Sequence, residues 1–323
     1  MNNIRTDLAS EAYEMLMEAS QEISGINVSE EERHSLKITR VEVQTDEAQE
    51  KIGKPRGNYI TMEIADVGAP EHEDYETACR ILSDELKKLI QIPEDASVLV
   101  VGLGNWNVTP DALGPQVVSQ LMVTRHLLEY IPEHVEEGIR PVCAMSPGVL
   151  GITGMETGEI IRGVTEKIRP DLVIAVDALA ARSMARVNTT IQLCDTGIAP
   201  GAGVGNKRKE LSRTTLGIPV IAIGVPTVID AATIAADTMQ SITSAMRQTA
   251  KPDSGLYAAL SEMDYDKQLA LAKEALSPNM ADFIVTPKDI DRKTEQISKI
   301  VANGINLALH KDIGFQDIEA YVS

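Results

Sequence analysis

The chain has 323 residues and a formal net charge of −18, with 43% hydrophobic but only 3% aromatic residues. A negative field of this size repels nucleic-acid phosphates and anionic membrane surfaces, so we expect neither as a ligand. The length fits one large α/β domain or two domains, and the scarcity of aromatic residues predicts a core of Val, Ile, Leu, Ala and Met.

The elements predicted first along the chain are a helix and two strands. Apolar residues recur at helical spacing over 8–23. Segments 37–43 and 59–64 alternate apolar and polar side chains, as antiparallel or edge strands do, and the turn-rich connector 51–58 lies between them. A second helix is predicted over 73–89.

From residue 97 onwards, fully apolar strands alternate with helices. Strands are predicted at 97–103, 141–145, 171–176, 189–194 and 219–225, and helices at 115–130, 156–168 and 228–249. A linker at 251–260 and helices at 264–276 and 287–309 follow, giving a helical carboxy-terminal part at about 264–310. We therefore expect an α/β fold: a doubly wound, mostly parallel sheet with helices on both faces and small strand additions near the amino terminus. Such folds bind ligands at the carboxyl ends of their strands.

The cysteines and the amino-terminal segment indicate the compartment. Cys79, Cys143 and Cys194 are widely spaced and form no CxxC pair, so they predict neither a disulfide framework nor a zinc ribbon. The amino-terminal segment has no apolar run like that of a secretory signal, and no apolar stretch is long enough to cross a bilayer. We therefore expect a cytoplasmic protein.

One aspartate lies in an unusual loop at a predicted strand end. The loop 102–115, GLGNWNVTPDALGP, contains Asp111 together with Asn105 and Asn107. Asp111 either faces a cleft or caps the helix that follows, since Asp is a favoured N-cap. GLGN matches neither GxGxxG nor a Walker motif, so a phosphate-binding loop is only weakly indicated.

A second aspartate directly follows the predicted strand 171–176. Asp177 either faces the same cleft or is held by structural contacts, such as a salt bridge to Arg182 or a cap on the next turn. Burial and a neighbouring carboxylate both raise the pKa of a carboxyl group, so two aspartates in one cleft can share a proton. Such a pair can activate a water and protonate a leaving nitrogen.

A glycine-rich loop follows the predicted strand 189–194. It carries Lys207 and Arg208 near its end, in a chain that is otherwise strongly acidic. These cations either bind acidic side chains of a substrate or form a solvated surface tip. The five histidines are scattered and form no HExxH motif, so the residues predict neither a metal nor another cofactor.

Several long segments resemble the germination proteases of endospore-forming bacteria. They are GLGNWNVTPDALGP (102–115), VTRHL (123–127), PGVLGITGMET (147–157), AVDALAARS (175–183), VNTTIQLCDTGIAPGAGVGNKRKELS (187–212), PVIAIGVPTVIDA (219–231) and VTPKDID (285–291). The resemblance runs from about residue 4 to residue 310.

The resemblance implies an endopeptidase of the spore core that begins the degradation of small acid-soluble spore proteins. Members of the family are made as zymogens that trim their own propeptide, and they are similar to hydrogenase-maturing endopeptidases in fold. They are regarded as atypical aspartic peptidases, formerly classed with metallopeptidases, and their two proposed catalytic aspartates fall by motif on Asp111 and Asp177. A homotetramer is implied as well.

The stretch RTDLASEA at residues 5–12 resembles the motif that the family cleaves, an acid and a large apolar residue followed by Ala-Ser-Glu. We therefore predict self-cleavage between Asp7 and Leu8, with residues 1–7 as the propeptide and 8–323 as a single peptidase domain. Asn105, Asn107, Lys207 and Arg208 are candidates for substrate binding.

Two other functions stay open at this point. A metal-dependent peptidase could use the same two carboxylates as ligands. A nucleotide- or small-ligand-binding α/β module without catalysis could use the GLGN loop.

Overall fold

The structure is a computed structural model that describes residues 6–18, 24–64, 72–199, 210–276 and 283–322. Its described strands form one mixed sheet in the order β1-β2-β3-β7-β8-β6-β4-β5, with β9 paired to β8. Their bounds are β1 Ile26–Arg33, β2 Leu36–Val43, β3 Gly57–Ile64, β4 Val98–Gly102, β5 Val142–Met145, β6 Leu172–Ala181, β7 Thr190–Cys194, β8 Val220–Asp230 and β9 Ile284–Val285.

The sheet has a parallel and an antiparallel part. Strands β5, β4, β6 and β8 are parallel to one another, as the apolar runs predicted. Strands β1, β2, β3 and β7 pair in antiparallel fashion, and β7 is also antiparallel to β8. The α/β fold class is confirmed, but the antiparallel part is larger than expected. A connection that brings the chain back to run parallel to the previous strand needs a dozen or more residues. The connection 182–189 between β6 and β7 is shorter than that, so β7 runs in the opposite direction.

Helices cover both faces of the sheet. They are α1 Ala9–Glu18, α2 Asp46–Ile52, α3 His72–Leu89, α4 Leu113–Val118, α5 Arg125–Tyr130, α6 Leu150–Thr153, α7 Thr157–Ile168, α8 Arg213–Leu216, α9 Ala231–Thr249, α10 Gly255–Ser261, α11 Tyr265–Ala275, α12 Ile290–Leu309 and α13 Phe315–Val322. Helices α3, α4 and α12 pack on one face, and α1, α2, α7 and α8 on the other. None of the helices described is long and apolar enough to cross a membrane.

Strand β6 contributes to both cores. Its side chains alternate, so Ile174 and Val176 join the larger core while Val173 and Ala175 join the opposite one. All four are fully buried. The next residue in this alternation, Asp177, therefore belongs to the face that carries α1 and α7.

Three predicted boundaries are wrong in ways that have local causes. The single helix predicted over 115–130 is broken, because Thr124 pairs with the β5 region: its N–H donates to Val142 O at 2.9 Å and its hydroxyl donates to Arg140 O. The predicted linker 251–260 contains α10, which Ser254 caps by accepting from Tyr257 N–H at 3.1 Å.

The third difference decides where the site lies. Strands β6 and β8 extend well beyond the predicted ends at residues 176 and 225. Strand β4 ends at Gly102, opposite Val176, whereas β6 and β8 remain paired from Asp177 with Gly224 to Ala181 with Ile229. One edge of β6 is therefore left without β4 over its last residues.

Candidate active site

A cavity of about 520 Å³ opens where β4 ends, next to the extended part of β6. Both predicted aspartates line it. Its lining also includes Asp7, from the predicted cleavage site, and residues that the sequence analysis did not predict, among them Lys54, Gln192 and Thr227. The structure thus brings Asp111 and Asp177 to one cavity at the carboxyl end of the parallel strands.

Asp177 is held by the paired strands β6 and β8. It lies within β6 rather than after it, so the predicted strand end at Val176 is corrected, and it is 5% exposed. Its Oδ1 accepts a hydrogen bond from Ala178 N–H at 2.9 Å. It still borders the cavity because the neighbouring strand β4 has ended beside Val176.

Asp111 closes a short 3₁₀ turn, Thr109–Asp111, in the loop after β4. The Asp111 carbonyl accepts from Asn105 N–H at 2.9 Å, and Thr227 of β8 donates its hydroxyl to Pro110 O at 2.6 Å. Gly104 has φ 111, and a Cβ there would lie 2.0 Å from the Asp111 carbonyl oxygen. Glycine at position 104 is therefore required for the loop to close over the cavity.

The structure places Asp111, Asn105 and Asn107 differently from two of the expectations for this loop. Ala112, not Asp111, occupies the N-cap position of α4, so the capping interpretation of Asp111 is wrong. Asn105 Oδ1 accepts from Asn107 N–H at 3.0 Å, and both asparagines line a smaller pocket of about 150 Å³ rather than the main cavity. Their role in substrate binding stays a prediction. Lys207 and Arg208 lie outside the described residues.

The amino-terminal segment enters this cavity along β6. Asp7 N–H donates to Ala180 O at 3.1 Å, and Ala180 N–H donates to Asp7 Oδ2 at 2.9 Å. Both the N–H and the C=O of Ala180 are therefore hydrogen-bonded to Asp7. Asp7 lies along the edge of β6 with which β4 pairs only as far as Val176. Leu8, the next residue, is 0% exposed.

Two side chains hold the carbonyl group of Asp7. Lys54 Nζ donates to this oxygen at 2.9 Å and to Thr6 O at 3.1 Å, and Gln192 Nε2 donates to the Asp7 oxygen at 3.1 Å. Gln192 also accepts from Ala9 N–H at 2.7 Å through Oε1. Burial lowers the pKa of the Lys54 ammonium, although the charges of Asp7 and Glu11 oppose the effect.

Glu11 fixes the other end of the segment. Its carboxylate accepts from Arg182 N–H at 2.8 Å and from Ser183 N–H at 2.9 Å, while an Nη of Arg186 lies 3.6 Å away. Thr6 donates its hydroxyl to the same carboxylate. Glu11 is only 1% exposed, so it fills a buried anion site that follows β6.

Among the described residues, the cavity offers neither an activated thiol nor a cluster of metal-binding side chains. Cys194 lines it, but burial raises the pKa of this thiol, which favours the unreactive protonated form. Across the part of the chain that the structure describes, no three His, Cys, Asp or Glu side chains converge to hold a metal ion.

Sequence reasoning missed Lys54 and Gln192. Lys54 lies in a connector that looked like a plain turn. Gln192 did carry a signal, because it is a buried amide in the otherwise apolar strand β7, and buried polar groups need partners.

Comparisons with known proteins show the family to which the chain belongs. The sequence model of the germination protease family matches residues 4–269 and 250–322. Germination proteases of Clostridium acetobutylicum and Clostridium tetani are 51% and 49% identical, covering 100% and 99% of this chain and the full length of each relative. That of Bacillus cereus is 46% identical over 99% of this chain and 97% of its own.

Among solved structures, a [NiFe] hydrogenase maturation protease, HycI from Thermococcus kodakarensis, is similar at 15% identity and a TM-score of 0.33. The match covers 68% of this chain and 98% of that one. The full-length sequence matches, not this distant likeness, establish the assignment: the chain belongs to the germination protease family, and it is a peptidase of spore germination.

Proposed function

We propose that this protein is an aspartic-type endopeptidase, made as a zymogen, which cleaves its own chain between Asp7 and Leu8. Residues 1–7 are then the propeptide, and 8–323 form the peptidase domain. The observation that supports this proposal is the position of Asp7, which lines the same cavity as Asp111 and Asp177 and whose carbonyl oxygen accepts from Lys54 Nζ at 2.9 Å.

The substrates of the processed protein are small acid-soluble spore proteins. Their cleaved motif, an acid and a large apolar residue followed by Ala-Ser-Glu, would follow the path that residues 7–11 take in this chain. The contacts of that path favour this chemistry: a buried site for Leu8 and an anion site for Glu11. The reaction belongs to the forespore and spore core, and the assembly is a homotetramer, which light scattering of the purified protein would test.

The proposed chemistry divides two proton transfers between the aspartates. One ionised carboxylate accepts a proton from a water that attacks the Asp7 carbonyl carbon. The other carboxyl, neutral at that stage, protonates the nitrogen of Leu8 as the C–N bond breaks. Mild acid favours the singly protonated pair, so processing is expected to be faster below neutral pH; a rate that is flat from pH 5 to pH 8 would contradict the shared proton.

Mass spectrometry of the purified chain tests the function directly. The wild-type protein is expected to lose residues 1–7, whereas Asp111→Asn and Asp177→Asn slow this step by about 10²–10⁴-fold with the fold intact. Asp171→Asn is the matched control, because Asp171 lies at the opposite end of β6, where it accepts from Ser97 N–H at 2.7 Å. Normal processing in either active-site variant would remove that aspartate from the mechanism.

The metal-dependent alternative is separated by the same assay. Processing and peptide cleavage that persist after exhaustive treatment with a chelator favour the aspartic type. Activity that disappears with the chelator and returns with a divalent cation would replace it with the metal-dependent mechanism.

A further inference from the structure

The carbonyl group of Asp7 is held differently from the other peptide groups of the segment 6–11. Its oxygen accepts two side-chain hydrogen bonds, one from the Lys54 ammonium at 2.9 Å and one from the Gln192 amide at 3.1 Å. This carbonyl belongs to the bond between Asp7 and Leu8. Both donors line the cavity that contains the two aspartates.

The fold fixes the position of Lys54 on both sides. Helix α2 ends at Ile52, and Gly53 turns the chain with φ 70 while its N–H donates to Gln49 O. After Lys54, Pro55 O accepts from the hydroxyl of the buried Tyr59 at 2.8 Å. The lysine therefore reaches the Asp7 carbonyl from a short, braced turn rather than from a free surface loop.

The orientation of the Gln192 amide is fixed as well. Gln192 is buried in β7 between Thr61 of β3 and Gly224 of β8. Its Oε1 accepts from Ala9 N–H at 2.7 Å, which assigns the acceptor end of the amide. The Nε2 end is then the one that faces the Asp7 oxygen.

We propose that Lys54 and Gln192 are catalytic residues that stabilise the negative charge which develops on the carbonyl oxygen of the cleaved bond. The inference rests on the proposed function, since it needs the bond between Asp7 and Leu8, or its counterpart in a substrate, to be the one cut. Donors placed in advance at a developing oxyanion are among the largest contributions to acyl-transfer catalysis.

The reaction balances with the groups in place. Water adds to the carbonyl carbon and loses one proton to a carboxylate, while the carbonyl π electrons move to the oxygen that Lys54 and Gln192 contact. The oxyanion then collapses, the C–N bond breaks, and the leaving nitrogen takes a proton from the neutral carboxyl. The products are the carboxylic acid of residue 7 and the amine of residue 8, and Lys54 undergoes no net proton transfer.

The alternative is that both side chains only hold the segment in the cavity. Docking alone acts equally on the bound substrate and on the transition state, so its loss raises KM and leaves kcat unchanged. Loss of an oxyanion donor lowers kcat with little change in KM. The two roles are therefore distinguished by measuring both constants.

The test uses the full-length protein and a synthetic peptide of residues 2–14, with cleavage between positions 7 and 8 followed by mass spectrometry. Lys54→Met and Gln192→Glu are expected to lower kcat by about 10²–10³-fold each, with KM within a few-fold of the wild-type value. Gln192→Glu keeps an acceptor for the N–H of residue 9, removes the donor, and adds a negative charge that further opposes an oxyanion at this position. Lys51→Met is the control, because Lys51 pairs with Glu47 on the exposed side of α2.

Lys54→Arg adds a pH signature. Loss of the lysine proton should reduce kcat as pH rises, at a lower pH than for an ordinary lysine, because burial lowers the pKa of this ammonium against the opposing charges of Asp7, Glu11 and Cys194. The arginine variant keeps its charge, so this decline should move to higher pH.

The inference is overturned if folded Lys54→Met and Gln192→Glu proteins keep kcat within threefold of the wild type, or if only KM changes. Circular dichroism and thermal unfolding establish that each variant is folded, and the two variants sit on different elements. A wild-type protein that cleaves neither itself nor the peptide would overturn the proposed function, and this inference with it, an outcome that is visible without any variant.

Discussion

Recognition of the substrate glutamate can be tested by changing Glu11 to Gln in a peptide of residues 2–14. The carboxylate of Glu11 accepts from the N–H groups of Arg182 and Ser183 with its two oxygens. An amide offers one oxygen, so one of these N–H groups is left without its acceptor in a buried site.

The magnitude follows from these contacts. An unsatisfied buried N–H costs about 1–3 kcal/mol, and replacing a charged acceptor by a neutral one at the second N–H costs about 1 kcal/mol more. The total of about 2–4 kcal/mol corresponds to about 30- to 700-fold in kcat/KM. Two peptides mixed in one tube give the ratio of their kcat/KM values directly.

Glu14→Gln in the same peptide is the matched control. Glu14 also pairs with Arg186, at 2.6 Å, but its side chain is 45% exposed, and exposed ion pairs contribute about 0–1 kcal/mol. We expect less than about a fivefold change in kcat/KM from that substitution. A Glu11→Gln peptide that competes within threefold of the wild-type peptide would refute the role of the anion site.

Three further predictions concern the buried site of Leu8, the loop that carries Asp111 and the stability of the fold in acid. Changing Leu8 to Ala in the peptide should lower kcat/KM by the equivalent of about 2–5 kcal/mol, since the side chain is fully buried; an unchanged ratio in the competition assay would contradict this. Gly104→Ala should abolish processing by displacing the loop that carries Asp111, whereas Gly154→Ala, where the added Cβ meets open space, should only lower the unfolding midpoint; equal processing by both would contradict the argument. Burial lowers the pKa of His310 to about 4, below the ordinary histidine value of about 6.5. The unfolded chain therefore takes up this proton first, and the free energy of unfolding falls by about 3 kcal/mol as the pH falls from above about 6.5 to 4. Denaturant unfolding at pH 7 and pH 4 should show this loss in the wild type and a smaller one in His310→Gln.

The parallel part of the sheet was predictable because its strands are apolar on both faces and therefore read as continuous runs. Strand β1 was not, since INVSEEER is a charged edge strand whose side chains need little burial. The extension of β6 past Val176 was hidden too, because the polar Asp177 looked like the end of a run.

The place of the two aspartates at one cavity could be predicted from strand-end position and family motif together. The groups around Asp7 could not, because their contacts join distant parts of the chain: the hydrogen bond between Ala9 and Gln192 links residues 183 positions apart. A single sequence gives no measure of such pairings: a lysine in a turn is unremarkable in its local pattern, and a glutamine in an apolar strand indicates that it needs a partner but not which one.

The anchoring of α1 beside the cavity has a kinetic consequence. Under the proposed cleavage, the new amino terminus at Leu8 stays covalently attached to the protein. Glu11 still accepts from the N–H groups of Arg182 and Ser183, just after β6. A tethered ligand acts at a local concentration of the order of millimolar, so the protein carries its own competitor for every incoming substrate. The rate of cleavage then depends on how often the segment that begins at Leu8 leaves the substrate path. Removal of residues 8–18 would speed peptide cleavage at low substrate concentration and leave the rate at saturating substrate unchanged.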